Sequence, residues 1–176
     1  MKLWKTIPKR LRIFFRFHRR LLYRLPNLAW DTVRDVYHVV LGRDDVVPGG
    51  IIAIQTFGQL IHFHPHLHGL VTDGAFTAGG QAVHLPQIDD EPFLRLWEQR
   101  VFQSLVHEGK IEPKLVEQIR GWRYSSFSVD RSVRLESTDR AGIERLVQYM
   151  ARSPFSFARL IRITETGKGV YRGEKT

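Results

Sequence analysis

Apolar residues recur along this chain with two periods, and the points where one gives way to the other divide it into elements. Pro8 can open a helix over residues 8–24, and Pro26-Asn27 is expected to break it before a second helix over 28–41 that stops at Gly42. Pro48-Gly49-Gly50 reads as a turn. The largely apolar stretch Ile51 to Phe57 then predicts a buried strand, and His66 to Phe76 a second. Gly79-Gly80 turns the chain into a short strand over 81–85. The acidic, proline-containing start Asp89-Asp90-Glu91-Pro92 predicts a helix that ends at Gly109, with a shorter helix over 113–120. Alternation of apolar and polar residues over 127–135 has the period of a half-buried strand. A helix over 139–152 follows, capped by Ser137, Thr138 or Asp139 and closed before Pro154, and a hairpin of 158–163 with 170–172 ends the pattern.

Strands with helices inserted between them, in an order that suits antiparallel pairing, predict an α+β fold built on an antiparallel sheet and preceded by basic helices. The division expected is a basic helical segment over 1–45 and a sheet-based domain over 46–176, within one structural unit. With 176 residues, 43% of them apolar and 11% aromatic, the chain can bury a real core and is not expected to be disordered. Cysteine is absent, which excludes disulfide frameworks and thiolate metal sites. Any metal must then be held by histidine, carboxylate or amide.

The formal charge of +9 is concentrated at one end. Residues 1–24 carry nine Lys or Arg and no acid, whereas the other 18 bases are matched by 18 acids. Lys9, Arg10, Arg12, Arg16, Arg19 and Arg20, interleaved with Trp4, Phe14, Phe15, Phe17 and Tyr23, suit phosphate contacts combined with base stacking on a single strand. The same pattern would also suit an anionic membrane surface. Arginines interrupt every apolar run before a signal-peptide core can form, and no stretch approaches the length of a membrane span, so the expected location is the cytoplasm.

Four of the eight histidines stand at alternate positions: His62, His64, His66 and His68. In extended chain such side chains share a face, so their imidazoles come within reach of one ion. Pro65 cannot donate to a sheet ladder and is expected at a strand start, which would leave His62 and His64 in the approach loop and His66 and His68 on the strand. Gln55, the lone amide in the neighbouring apolar strand, is the candidate third ligand, or else it satisfies a backbone group. On the 139–152 helix, Ile143, Leu146, Val147 and Met150 form an apolar stripe. Tyr149, Arg145 and Arg152 fall opposite it, so Tyr149 is either a phosphate-facing hydroxyl between two guanidinium groups or a boundary residue with a wetted tip.

The segments Gln55-Thr56-Phe57-Gly58, His64-Pro65-His66-Leu67-His68, Leu70-Val71-Thr72-Asp73-Gly74 and Gln148-Tyr149-Met150-Ala151-Arg152-Ser153-Pro154-Phe155, in this order, resemble the rolling-circle insertion-sequence transposases of the HUH endonuclease superfamily. The likeness runs from about Thr6 to Arg172. It implies a transposase that nicks and rejoins single-stranded DNA at transposon ends. His66 and His68 would be metal ligands for Mg²⁺ or Mn²⁺, Tyr149 the nucleophile, and no small-molecule cofactor or membrane would take part. Relatives commonly carry a Cys-rich zinc-binding segment before this region and continue beyond the last hairpin, so the resemblance implies a shortened chain. Arg145 stands where some members have a second tyrosine, which leaves a single-tyrosine mechanism. Two other readings stay open: a DNA-binding remnant without catalysis, and a His-metal hydrolase with Asp73 as the nearest carboxylate in sequence. The sequence carries no signal of oligomeric state.

Overall fold

The computed structural model describes residues 2–58, 62–123, 126–151 and 160–172. Its spine is a long strand β3 (Phe63–Thr77), paired on one side with β2 (Val46–Phe57) and on the other with β1 (Lys2–Thr6), which in turn pairs with β5 (Ser128–Asp130). A short β4 (Ala82–His84) pairs with the far end of β3, and every pairing in this five-stranded sheet is antiparallel. The helices are α1 (Arg12–Phe17), α2 (Arg19–Leu41), α3 (Glu91–His107), α4 (Pro113–Arg120) and α5 (Arg140–Met150). A separate hairpin joins β6 (Leu160–Ile163) to β7 (Gly169–Tyr171). The architecture is α+β with an antiparallel sheet, as the pattern predicts.

Alternation along β3 sorts the two faces. Leu67, Val71 and Ala75 point into a core shared with Leu22, Leu25, Ala29, Val33 and Tyr37 of α2 and Phe93, Trp97, Val101 and Phe102 of α3. His66 and His68 therefore point to the opposite face. The core side is closed by hydrogen bonds to strand backbone: Trp97 Nε1 donates to the Thr6 carbonyl at 3.1 Å, and the Tyr37 hydroxyl to that of Thr72 at 2.8 Å. Burial pushes the Tyr37 phenol up to about 12, helped by the charge of Asp73. No helix among the described residues is long and apolar enough to cross a membrane.

Several local expectations are corrected. The first described element is a strand, because Lys2–Thr6 fills the interior sheet position between β3 and β5, so the basic front and the rest of the chain share one sheet. The helical break falls at His18, whose φ of −123° and ψ of 84° separate α1 from α2, while Pro26 lies inside α2. An interior proline costs a helix about 3 kcal/mol. Here the stripe Leu21, Leu22, Leu25, Ala29, Val33 and Val36 is buried continuously on both sides of it, and burying even a few such side chains outweighs that cost. Gly42 ends α2 in the left-handed conformation, as expected. Pro48-Gly49-Gly50 is not a turn but part of β2, opposite a bulge in β3, where Val71 to Ala75 spans four residues against two from Pro48 to Gly50. The alternating 127–135 segment pairs only over Ser128–Asp130, with Trp4, Lys5 and Thr6 of β1.

Candidate functional site

The second face of the sheet carries a row of imidazoles. Ring centroids are 5.7 Å apart for His62 and His64, 5.2 Å for His64 and His66, and 4.8 Å for His66 and His68. The row does not split at Pro65 as expected, because β3 already begins at Phe63 and includes His64. Pro65 is accommodated without loss of a ladder bond. It lies one residue beyond the last β1 pair, Thr6 with His66, and within the stretch where the β2 register shifts between Gln55 and Phe57.

The row ends on the tyrosine helix. Tyr149 sets its ring edge-on to that of His68, with centroids 5.2 Å apart and planes at 85°. Two devices hold α5 there. At its start the Asp139 carboxylate accepts from the Gly142 amide at 2.8 Å, so Asp139 is the cap among the three candidates. At its end Gln55, opposite His66 in the β2–β3 register, donates its side-chain amide to the Tyr149 carbonyl at 3.0 Å and the Met150 carbonyl at 3.2 Å. The helix turns Met150 inward to near-complete burial and leaves Tyr149 43% exposed, enough for its hydroxyl to meet a substrate. Gln55 thus satisfies backbone carbonyls with its nitrogen, and its oxygen is the atom that could face a cation.

Burial and hydrogen bonding set the state of His64 and His66. The carbonyl of His64 can only accept, so the 2.7 Å bond to His66 Nδ1 places that ring's proton on Nδ1 and makes Nε2 the basic nitrogen, the one suited to a ligand role. Burial lowers the pKa of His66, with the charge of Arg12 acting in the same direction. Burial, Arg12 and the neighbouring imidazoles push His64 down to about 4. His68 is wholly buried. Imidazole nitrogens beside a primary amide form a mixed nitrogen and oxygen donor set that a divalent ion could use, completed by water or phosphate oxygens. Among the described residues, no three His, Cys, Asp or Glu side chains converge on one point, so carboxylate cages are not available. Asp73 sits five residues beyond His68 on β3, in the stretch where the register to β2 shifts, and pairs with Arg134 at 2.9 Å.

The basic residues separate by position. Arg12 is half-buried, donates Nε to the Ile7 carbonyl at 3.1 Å, and is the cation whose field reaches His64 and His66. Lys9, Arg10, Arg16, Arg19 and Arg20 are exposed, with Arg16 over the Phe17 ring. Arg145 is exposed on α5, one turn before Tyr149, and Arg152 lies outside the described residues. Not all of the N-terminal charge faces solvent, however. Lys5 is wholly buried with its Nζ 5.1 Å from the Trp97 ring, and Arg24 pairs with Glu108. Neither the burial of Lys5 nor the proximity of Arg12 to the histidines follows from composition or helical spacing. The strand that positions both, Lys2–Thr6, has no period-2 alternation to mark it in the sequence.

No curated protein matches the chain, and no solved structure does. A family model described as "Putative transposase" matches residues 49–174, which takes in the histidine row, Gln55 and the tyrosine helix. On that match, extending over well more than half of its length, the chain belongs to this transposase family.

Proposed function

We propose that this transposase is of the HUH endonuclease, rolling-circle type, and that it binds single-stranded DNA at transposon ends and nicks and rejoins it through Tyr149. The observation that carries the reading is the contact of Tyr149 with His68, which joins a nucleophile and a ligand pair from distant parts of the chain on one face of the sheet. His66 and His68, with the oxygen of Gln55, would hold a divalent Mg²⁺ or Mn²⁺ ion, and that ion supplies charge neutralisation at the scissile phosphate. Tyr149 Oη attacks phosphorus in line with the leaving 3′ oxygen. The Oη–P bond forms as the P–O3′ bond breaks, the phenol proton passes to solvent, and a proton from solvent completes the 3′-hydroxyl. The phosphotyrosine conserves the phosphodiester energy, so a 3′-hydroxyl can reverse the step and join strands without ATP. Arg12, fixed by the Ile7 carbonyl beside the histidines, is suited to neutralise a phosphate next to the one attacked. Arg145 is suited to do the same from the helix side.

The test is incubation of the full chain with labelled single-stranded DNA and Mn²⁺. A covalent protein–DNA adduct is expected, and Tyr149→Phe should abolish it. Equal adduct in both proteins would remove Tyr149 from the role, and binding without an adduct in the wild type would favour the DNA-binding remnant. The hydrolase reading has Asp73 as its nearest carboxylate in sequence, and Asp73 is paired with Arg134.

A further inference from the structure

A second feature lies where β1 ends. Beyond Thr6, which faces His66 across the β1–β3 ladder, the chain turns through Pro8 and lines one wall of a groove of about 550 Å³. That wall consists of Pro8, Lys9, Arg10 and Ile13, and the other of Trp122 and Ser126. The volume falls within the roughly 300–1,000 Å³ typical of small-ligand sites. Its composition is unusual for a solvated surface. Trp122 is 40% exposed and Ile13 55% exposed, the Arg10 guanidinium stands 5.6 Å from the Trp122 ring centre, and among the described residues no acidic one lines the groove. Ser126 has a φ of 61°, a left-handed conformation that a residue with a Cβ rarely adopts and that tends to persist where function retains it.

We propose that this groove takes one unpaired base of the single-stranded DNA whose scissile phosphate lies at the histidine row, with the base stacked on Trp122 and its phosphate held by Lys9 and Arg10. The proposal rests on the nicking reading above and adds a nucleotide subsite to it. An indole face accepts any base, and cations at the rim give the strand its electrostatic hold. The position supports the assignment. The groove and the row are joined by Thr6 to Arg12 of one segment, so a strand leaving the groove along Arg12 reaches His64 and His66. A double helix cannot present an unstacked base to a groove of this kind, so the subsite selects single strands.

The test measures binding of a labelled mixed-sequence single-stranded oligonucleotide to the full chain, without added metal, for wild type, Trp122→Ala, Trp122→Phe and Arg10→Gln. Trp122→Ala should weaken binding about tenfold or more, Trp122→Phe should retain most of the affinity, and Arg10→Gln should weaken it and reduce its salt dependence. Oligonucleotides with a single abasic position, moved along the strand, should show one position where wild type loses a similar factor and Trp122→Ala loses nothing further. That scan on the wild type needs no variant to fold. Unchanged affinity in Trp122→Ala, or an abasic scan without a sensitive position, would overturn the proposal, as would equal losses on duplex and single strand. Binding of phosphatidylserine vesicles through Trp122 without single-strand binding would also overturn it. The two readings fail separately. A Tyr149-dependent adduct with no Trp122 dependence removes the subsite alone, and Trp122-dependent binding with no adduct removes the nicking mechanism alone.

Discussion

Lys5 puts an amine where the fold offers it no water. The side chain is wholly buried, its Nζ has no hydrogen-bond partner among the described residues, and its contact is the Trp97 face. Burial, with Arg100 and Arg131 adding like charge, lowers its pKa well below 10.5. Between that lowered value and 10.5 the unfolded chain binds a proton that the folded chain does not, so stability rises with pH across the window and falls as pH drops through it. Lys5→Met should therefore stabilise the protein at neutral pH by about 1–3 kcal/mol and flatten this slope. Denaturant midpoints measured at several pH values check both, and an unchanged slope would mean that Lys5 is charged in the fold. At the same scale, His66→Ala or His68→Ala should lower Mn²⁺ affinity at least tenfold by calorimetric titration while Tyr149→Phe leaves it nearly unchanged. Equal affinity in all of these variants would place the ion elsewhere.

The tyrosine helix is an element held at its two ends. α5 has 11 residues, too few to be stable alone in water, so its cap and the Gln55 bonds carry much of its placement. A Cβ on Gly142 would collide with the Asp139 carboxylate, so glycine leaves room for the cap. Asp139→Ala should loosen the helix by about 1 kcal/mol. Amides of α5 would then exchange with solvent about fivefold faster while those of β3 keep their rates, and adduct yield should fall with them. Uniform faster exchange throughout would show that the cap supports the whole fold and not this helix in particular. The α5 pattern is legible in sequence because its stripe, cap and following proline are local signals. α2 departs from its local pattern at Pro26 for the converse reason: a proline's cost is local, but the burial that outweighs it depends on α3 and the sheet.

At the scale of the molecule, the exposed N-terminal charge is the part that a polyanion meets. Arg16, Arg19 and Arg20 are exposed on α1 and the start of α2, so replacing all three with Gln should reduce the slope of log affinity for single-stranded DNA against log salt by about 0.7 for each phosphate no longer neutralised. Anisotropy titrations over a salt series measure this, and an unchanged slope would show that the strand runs elsewhere. The sequence by itself determined the α+β class, most helices and strands, the alternate histidines and the tyrosine on the polar side of its helix. Each of these follows from spacing within a few residues, and backbone periodicity acts at that range. Only the tertiary structure decided that Lys2–Thr6 enters the sheet, that Lys5 is buried, that all four imidazoles stand in one row, and that Tyr149 meets His68 while Gln55 grips its helix. Those outcomes depend on register between strands far apart in the chain, where a shift of a single residue would send every side chain to the other face.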